Sequence, residues 1–141
     1  MNDLIPYYEM LEECITSLGV DPKTTRTSEE GHWSLIKGSA TVWVFLQRLP
    51  QNNNEPYFWV ISPVATIPNF NKEKFYEELL ETNHSLYGAS FSKFDRWIYI
   101  KTIREVEGIT KDDMLKMLHS VGTYADMYDD VLFSKYGVKL Q

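Results

Sequence analysis

The stretch from residue 79 to 110, LLETNHSLYGASFSKFDRWIYIKTIREVEGIT, leaves this chain few ways to fold. It reads as the end of a helix, a strand, a tight turn, a second strand and the start of another helix, with almost no residue to spare. That order fixes an architecture. It carries no catalytic motif.

The rest of the chain fits around this block as one compact domain. A length of 141 residues matches a single domain. A domain of that size buries roughly 70% of its unfolded surface, enough for a core without disulfides or metal. Residues are 43% hydrophobic and 14% aromatic, so the aromatic side chains must fill a core or a contact surface. The net charge of −6, with basic residues scattered, repels phosphate backbones and anionic membranes. Nucleic acid and membrane surfaces are therefore not expected partners. A lone cysteine, Cys14, excludes an internal disulfide framework or a cysteine-based zinc site. No apolar run has signal-peptide or membrane-spanning length, and the cytoplasm is the expected compartment.

Upstream of the block, residues 3–18 suit an amphipathic helix. Leu4, Tyr8, Leu11, Ile15 and Leu18 share one side, and Gly19 follows as a stop. Strands are expected over 32–37, 41–49 and 57–62, joined by Lys37-Gly38-Ser39 and by the loop 50–56. Residues 71–86 suit a second helix, with Asn71 as N-cap, Gly88 as terminating glycine, and Phe75, Tyr76, Leu79, Leu80 and Leu86 on its apolar side. Strands over 89–93 and 97–104 turn around Phe94-Asp95-Arg96. Thr110 and Asp113 announce a capped last helix ending near Gly137, with Met114, Leu118, Val121, Ala125, Tyr128 and Leu132 along one side. The fold class is thus α+β: five antiparallel strands, three helices, in the order α-β-β-β-α-β-β-α.

Strand patterning carries the main functional inference. Side chains alternate between faces, so a strand buried on one side should be polar at every second position. These strands are not. Val42, Val44 and Leu46 alternate with Trp43 and Phe45; Phe58 and Val60 with Tyr57, Trp59 and Ile61; Ile98 and Ile100 with Trp97 and Tyr99. Three helices can cover one face. The pattern alone does not say which; the expectation is the aliphatic one. The other would then present Trp43, Phe45, Tyr57, Trp59, Trp97 and Tyr99 together. Three readings stand open for these residues: ordinary core, a self-association surface, or a site for a partner or ligand.

Catalytic and metal-binding constellations are not found. His32, His84 and His119 are far apart, and phosphate-binding glycine loops and nucleophile elbows are missing. Adjacent carboxylate pairs such as Glu77-Glu78 and Asp129-Asp130 diverge on a helix and form no acid–base dyad. No catalytic residue, cofactor or metal is expected. Asn83 stands apart as a polar residue on the core side of its helix. It is expected to hydrogen-bond the following turn or the adjacent strand.

The block Leu79-Leu80, Asn83, Gly88-Ala89 with Phe91, then the alternating strand 97–103 and Gly108-Ile109-Thr110, resembles the type III secretion chaperone-like superfamily and, within it, the YbjN-type domain proteins. The resemblance covers residues 75–137; the first half agrees in element order. The turn Lys93–Arg96 departs from it, lacking the usual Gly or Asn. The resemblance implies a twisted antiparallel sheet, homodimers, and a chaperone-like or regulatory module that binds a protein partner on apolar surface. It supplies no catalytic residue. The alternative is a small-ligand domain or enzyme using the aromatic face as a pocket. A homodimer could form through that face, with Trp43 and Trp59 central, or through the helix 71–86 near Tyr76.

Overall fold

The computed structural model describes residues 3–140. Its elements are α1 (Ile5–Ser17), β1 (His32–Lys37), β2 (Ala40–Leu49), β3 (Glu55–Thr66), α2 (Lys72–Asn83), β4 (Ser90–Phe94), β5 (Trp97–Glu105) and α3 (Lys111–Tyr136). The strands form one antiparallel sheet in the order β1-β2-β3-β5-β4. This is the expected α+β class, with five antiparallel strands and three helices in the order α-β-β-β-α-β-β-α.

The aliphatic set faces the helices. Val42, Val44, Leu46, Phe58, Val60, Ile98 and Ile100 are all buried. They meet Met114, Leu118, Val121, Ala125 and Leu132 of α3, which crosses β2, β3 and β5. Ser62 sits in the same layer and donates its hydroxyl to the Thr41 carbonyl at 2.6 Å, which answers the cost of burying it. On the same side, α1 packs against Trp33 of β1: Tyr8 meets the indole edge-on, and the indole N–H donates to Glu12 at 2.9 Å. Phe75 of α2 packs edge-on against Tyr136 of α3, and Phe91 of β4 against Tyr128.

Local rules explain the element ends. Thr110 and Asp113 form a reciprocal capping box at the start of α3, and Gly137 ends it at φ 70. Gly31, at φ 82, carries the turn into β1, where a Cβ would stand 2.5 Å from the Leu46 carbonyl oxygen. Only glycine fits there.

Several expectations need correction. Strand β3 runs past Ser62 to Thr66, through Pro63. Its register with β5 shifts between Pro63 and Ala65, and that irregularity accommodates a residue without an N–H. Helix α2 ends at Asn83, so Gly88 (φ 79) opens β4 and does not terminate the helix. Asn71 precedes α2 in the left-handed conformation and makes no side-chain cap. Leu18, beyond the last turn of α1, and Leu80, on the outer side of α2, are exposed. Asp95 supplies the positive φ (55) that the β4–β5 turn requires, a role that short polar side chains can fill in place of Gly or Asn.

Candidate functional site: the open face of the sheet

Every second residue of the five strands points away from the helices. The register lines them up in cross-strand rows. One row is His32, Phe45, Trp59 and Ile103; the next is Ser34, Trp43, Ile61, Lys101 and Ser90; on the other side lie Gln47, Tyr57 and Glu105. Towards the β4–β5 turn follow Pro63, Tyr99 and Ser92, then Thr66, Trp97 and Phe94.

All six aromatic residues singled out from sequence, Trp43, Phe45, Tyr57, Trp59, Trp97 and Tyr99, lie on this face, and all are half-buried. Part of that shielding comes from ring contacts on the face. Phe45 meets Trp59 at 5.1 Å between ring centroids, tilted by 34°, and receives the edge of His32 at 4.5 Å. Such pairs each contribute about 0.5–1.5 kcal/mol beyond area burial. Trp43, Phe45, Tyr57 and Trp59 lie on three adjacent rows of β2 and β3. Trp97 and Tyr99 form a second group near the hairpin end, where the Arg96 guanidinium lies 5.7 Å above the Trp97 ring. Ile61 and Lys101 share the row between the two groups.

Sequence reasoning left Ile103 and Phe94 out of the candidate surface. Ile103 is 42% exposed and Phe94 75% exposed. Period two from Tyr99 points to Ile103; Phe94 lay within the expected turn.

Polar groups are spread over the rows of the face, and Ser90, Ser92 and Lys101 come together at its β4 end. The Tyr57 hydroxyl is held by the Asn52 side chain. Burial, with Asp95 adding to it, raises the Tyr99 phenol above its ordinary range. Lys101 and Glu105 flank Ile103 on β5. Among the described residues neither side chain takes part in an ion pair within the chain. A cleft of 450 Å³ opens at the β4 end of this face, between Ser90, Ser92, Lys101 and Ile103. Others lie off the face: one of 490 Å³ runs beside Tyr87 and Met117, and one of 230 Å³ lies between Val20, Leu35 and Leu118. None of the six aromatics lines any of the three. Among the described residues no His/Cys/Asp/Glu cluster could hold a metal ion, and no helix is long and apolar enough to cross a membrane.

Asn83 has the role its position suggested. Its side-chain oxygen accepts from the Phe91 N–H at 2.7 Å, and its amide donates to the Phe91 carbonyl at 3.2 Å. The amide thus occupies the outer edge of β4 as a neighbouring strand would. The opposite edge is covered in part by main chain: Ser34 N–H donates to Thr25, and Thr27 N–H to His32.

In fold, the chain is similar to a chain of the ExsC–ExsE complex, with a TM-score of 0.67, 13% identity, and coverage of 94% of this chain and 97% of that one. It is similar also to a chain of the HopA1–SchA chaperone–effector complex, with a TM-score of 0.64, 9% identity, and coverage of 88% and 93%. No curated protein sequence matches. The YbjN family, described as "Putative bacterial sensory transduction regulator", matches residues 7–134, and this chain belongs to that family.

Proposed function

We propose that this chain is a single-domain, non-enzymatic protein-interaction module of the cytoplasm, chaperone-like or regulatory, whose open aromatic face takes a protein partner. The observation that carries the reading is the contiguous strip Phe45, Trp59, Ile61 and Ile103, apolar on a side that no helix covers. Aromatic residues are enriched in the cores of contact surfaces, and contiguous apolar patches mark them. The fold likeness to chains solved in complexes with other proteins supports the same class.

The alternative, a ligand pocket or active site on this face, has less support. A pocket needs concavity and a few convergent polar groups. The concave part of this face, at its β4 end, lies off the six aromatic residues and is lined by Ser90, Ser92, Lys101 and Ile103.

The test uses reduced insulin B chain as an unfolded probe. Wild type is expected to suppress its aggregation, and Trp59→Glu to lose that effect while keeping its circular dichroism spectrum. A wild type without effect, combined with robust stabilisation by one small molecule from a metabolite panel in thermal shift, overturns the reading in favour of a ligand site.

A further inference from the structure

Charge is laid out unevenly on this chain. Its net charge is −6, yet the hairpin from Ser90 to Arg104 holds Lys93, Arg96, Lys101 and Arg104 against Asp95 as its one carboxylate. Arg104 pairs with Asp113 of α3 on the helical side, and Arg96 sits over the Trp97 ring. Lys101 belongs to the open face. It stands half-buried between Ile61 of β3 and Ser90 of β4 in one cross-strand row.

The cleft of 450 Å³ at the β4 end gathers Lys101 with Ser90, Ser92 and Ile103, and Gly88 and Ala89 line it too. Ser90 and Ser92 are two residues apart on β4, so both hydroxyls lie on this face. Among the described residues neither hydroxyl hydrogen-bonds within the chain, and Lys101 makes no ion pair. Three donors thus share one cleft, and no carboxylate lines it. Glu105, the acidic residue on this face of β5, lies about 13 Å along the strand from Lys101.

Resting on the reading above, we infer that this cleft is an anion site, and that it takes the carboxylate of an acidic side chain in the partner's extended segment. One ammonium balances one negative charge, and the two hydroxyls add donors without adding charge. That set suits a carboxylate, with two oxygens and a single charge. A phosphate group, close to a dianion, calls for guanidinium forks or several cations. Half-burial of Lys101 strengthens the pair relative to one between fully exposed groups. Elsewhere an acidic chain repels an acidic segment, so the cleft also sets where along the face that segment comes to rest.

Spacing defines the segment further. Lys101 and Ile103 are two residues apart on β5, about 7 Å. An extended peptide lying along the strands presents alternate side chains on one side at the same interval. An acidic residue in the cleft therefore puts the residue two places away over Ile103, whose cross-strand neighbour is Trp59. The partner motif is an apolar residue, any residue, then an acidic one.

Fluorescence anisotropy with labelled peptides tests the inference. The probes are short and uncharged apart from a central glutamate, glutamine or lysine, with isoleucine two places to either side. Wild type is expected to bind the glutamate probe about tenfold more tightly than the glutamine probe, and added salt should narrow that gap. Lys101→Gln should remove the preference and leave the glutamine probe's affinity unchanged. Lys101→Glu should reverse the order and bind the lysine probe most tightly. A misfolded variant would lose all three probes and could not reverse their order. Ser90→Ala with Ser92→Ala should reduce the preference for glutamate while sparing the glutamine probe.

Equal affinity of wild type for the glutamate and glutamine probes overturns the inference. So does a glutamate preference that survives Lys101→Glu, which would move the anion to another cation such as Arg96. A phosphoserine probe bound more than about tenfold more tightly than the glutamate probe overturns the carboxylate in favour of phosphate. If the probes bind alike and Trp59→Glu abolishes their binding, the docking reading stands and the anion site falls. Binding of no probe also rejects the anion site. Suppression of B-chain aggregation then decides whether the docking reading falls with it.

Discussion

Phe58 and Trp59 are neighbours in one strand and live in opposite environments. Phe58 has no exposed surface and lies under α3; Trp59 is half-buried and has only Phe45 and its row for cover. The same contrast repeats along β2 and β5, where Val44 and Ile100 are sealed while Phe45 and Tyr99 are not. An antiparallel sheet covered by helices on one side ordinarily shows polar residues on the other. Here both sides are apolar, but only one is covered within the chain. The water-exposed part of such an apolar face adds little to fold stability, and contiguous patches of this kind mark contact surfaces. One face of the sheet holds the protomer together, and the other is available to hold something else.

The largest effect should come from breaking the covered face. Phe58→Ala opens a cavity among Val44, Val60 and the α3 side chains and should cost about 3–5 kcal/mol of unfolding free energy, measured by urea titration. A loss under ~1 kcal/mol would mean that this layer is not the core. One residue along, Trp59→Ala should behave differently. Its binding of the unfolded B-chain probe should weaken by on the order of 2 kcal/mol. Its unfolding free energy should fall by at most about 1.5 kcal/mol, since the ring is already partly in water. Equal loss of stability in the two variants would erase the distinction between the faces.

Period-two alternation was enough to assign residues to two sets, and it placed all six aromatic candidates correctly on one side. It could not say which set the helices cover, because both sets are apolar. That choice is made by helix packing, and β1 shows why pattern fails: its Trp33 belongs to the covered face, held by Tyr8 and Glu12 of α1. Periodicity overreaches where an apolar residue falls beyond the last turn of a helix, as Leu18 does, or on its outer side, as Leu80 does. The extension of β3 was hidden by Pro63, which reads as a strand breaker unless a register shift is foreseen. Asn83 was legible for the opposite reason. An amide among apolar positions needs a nearby partner, and the edge of β4 was the nearest unpaired backbone.

The sheet edges offer a milder way to sharpen the contrast. Asn83→Ala leaves the N–H and carbonyl of Phe91 without their partners. Solvent reaches this edge, so the expected cost is the low end of the unsatisfied-group range, about 1 kcal/mol. Hydrogen exchange at Phe91 should accelerate while exchange in β2 and β3 stays slow. An exposed edge also templates strand pairing, so this variant should self-associate through β4 even when Trp59 is replaced. If Asn83→Ala aggregates only when Trp59 is present, the edge is not the new contact.

The smallest effect concerns pH, and it tests the covered side alone. Glu12 holds the Arg26 guanidinium and the Trp33 indole, and those hydrogen bonds, the first above all, depress its carboxyl below the usual range. Glu78 is depressed likewise, chiefly by Lys135 and then by the Tyr136 hydroxyl. A carboxyl lowered on folding contributes stability that is fully present above its unfolded pKa and is lost as pH falls through its folded value. Stability should therefore decline below about pH 4.5. Glu12→Gln and Glu78→Gln should each flatten that decline and lower stability at neutral pH by less than Asn83→Ala does. At the other extreme, burial and the Glu78 hydrogen bond push the Tyr136 phenol up to about 12. Native protein then binds that proton more tightly than unfolded chain, so stability should fall again between about pH 10 and 12, and Tyr136→Phe should remove that alkaline limb. Because these groups tie α1 and α2 to β1 and α3, the variants should change unfolding curves and leave suppression of B-chain aggregation at neutral pH untouched. A loss of that suppression in Glu78→Gln would instead place the binding surface on the helical side.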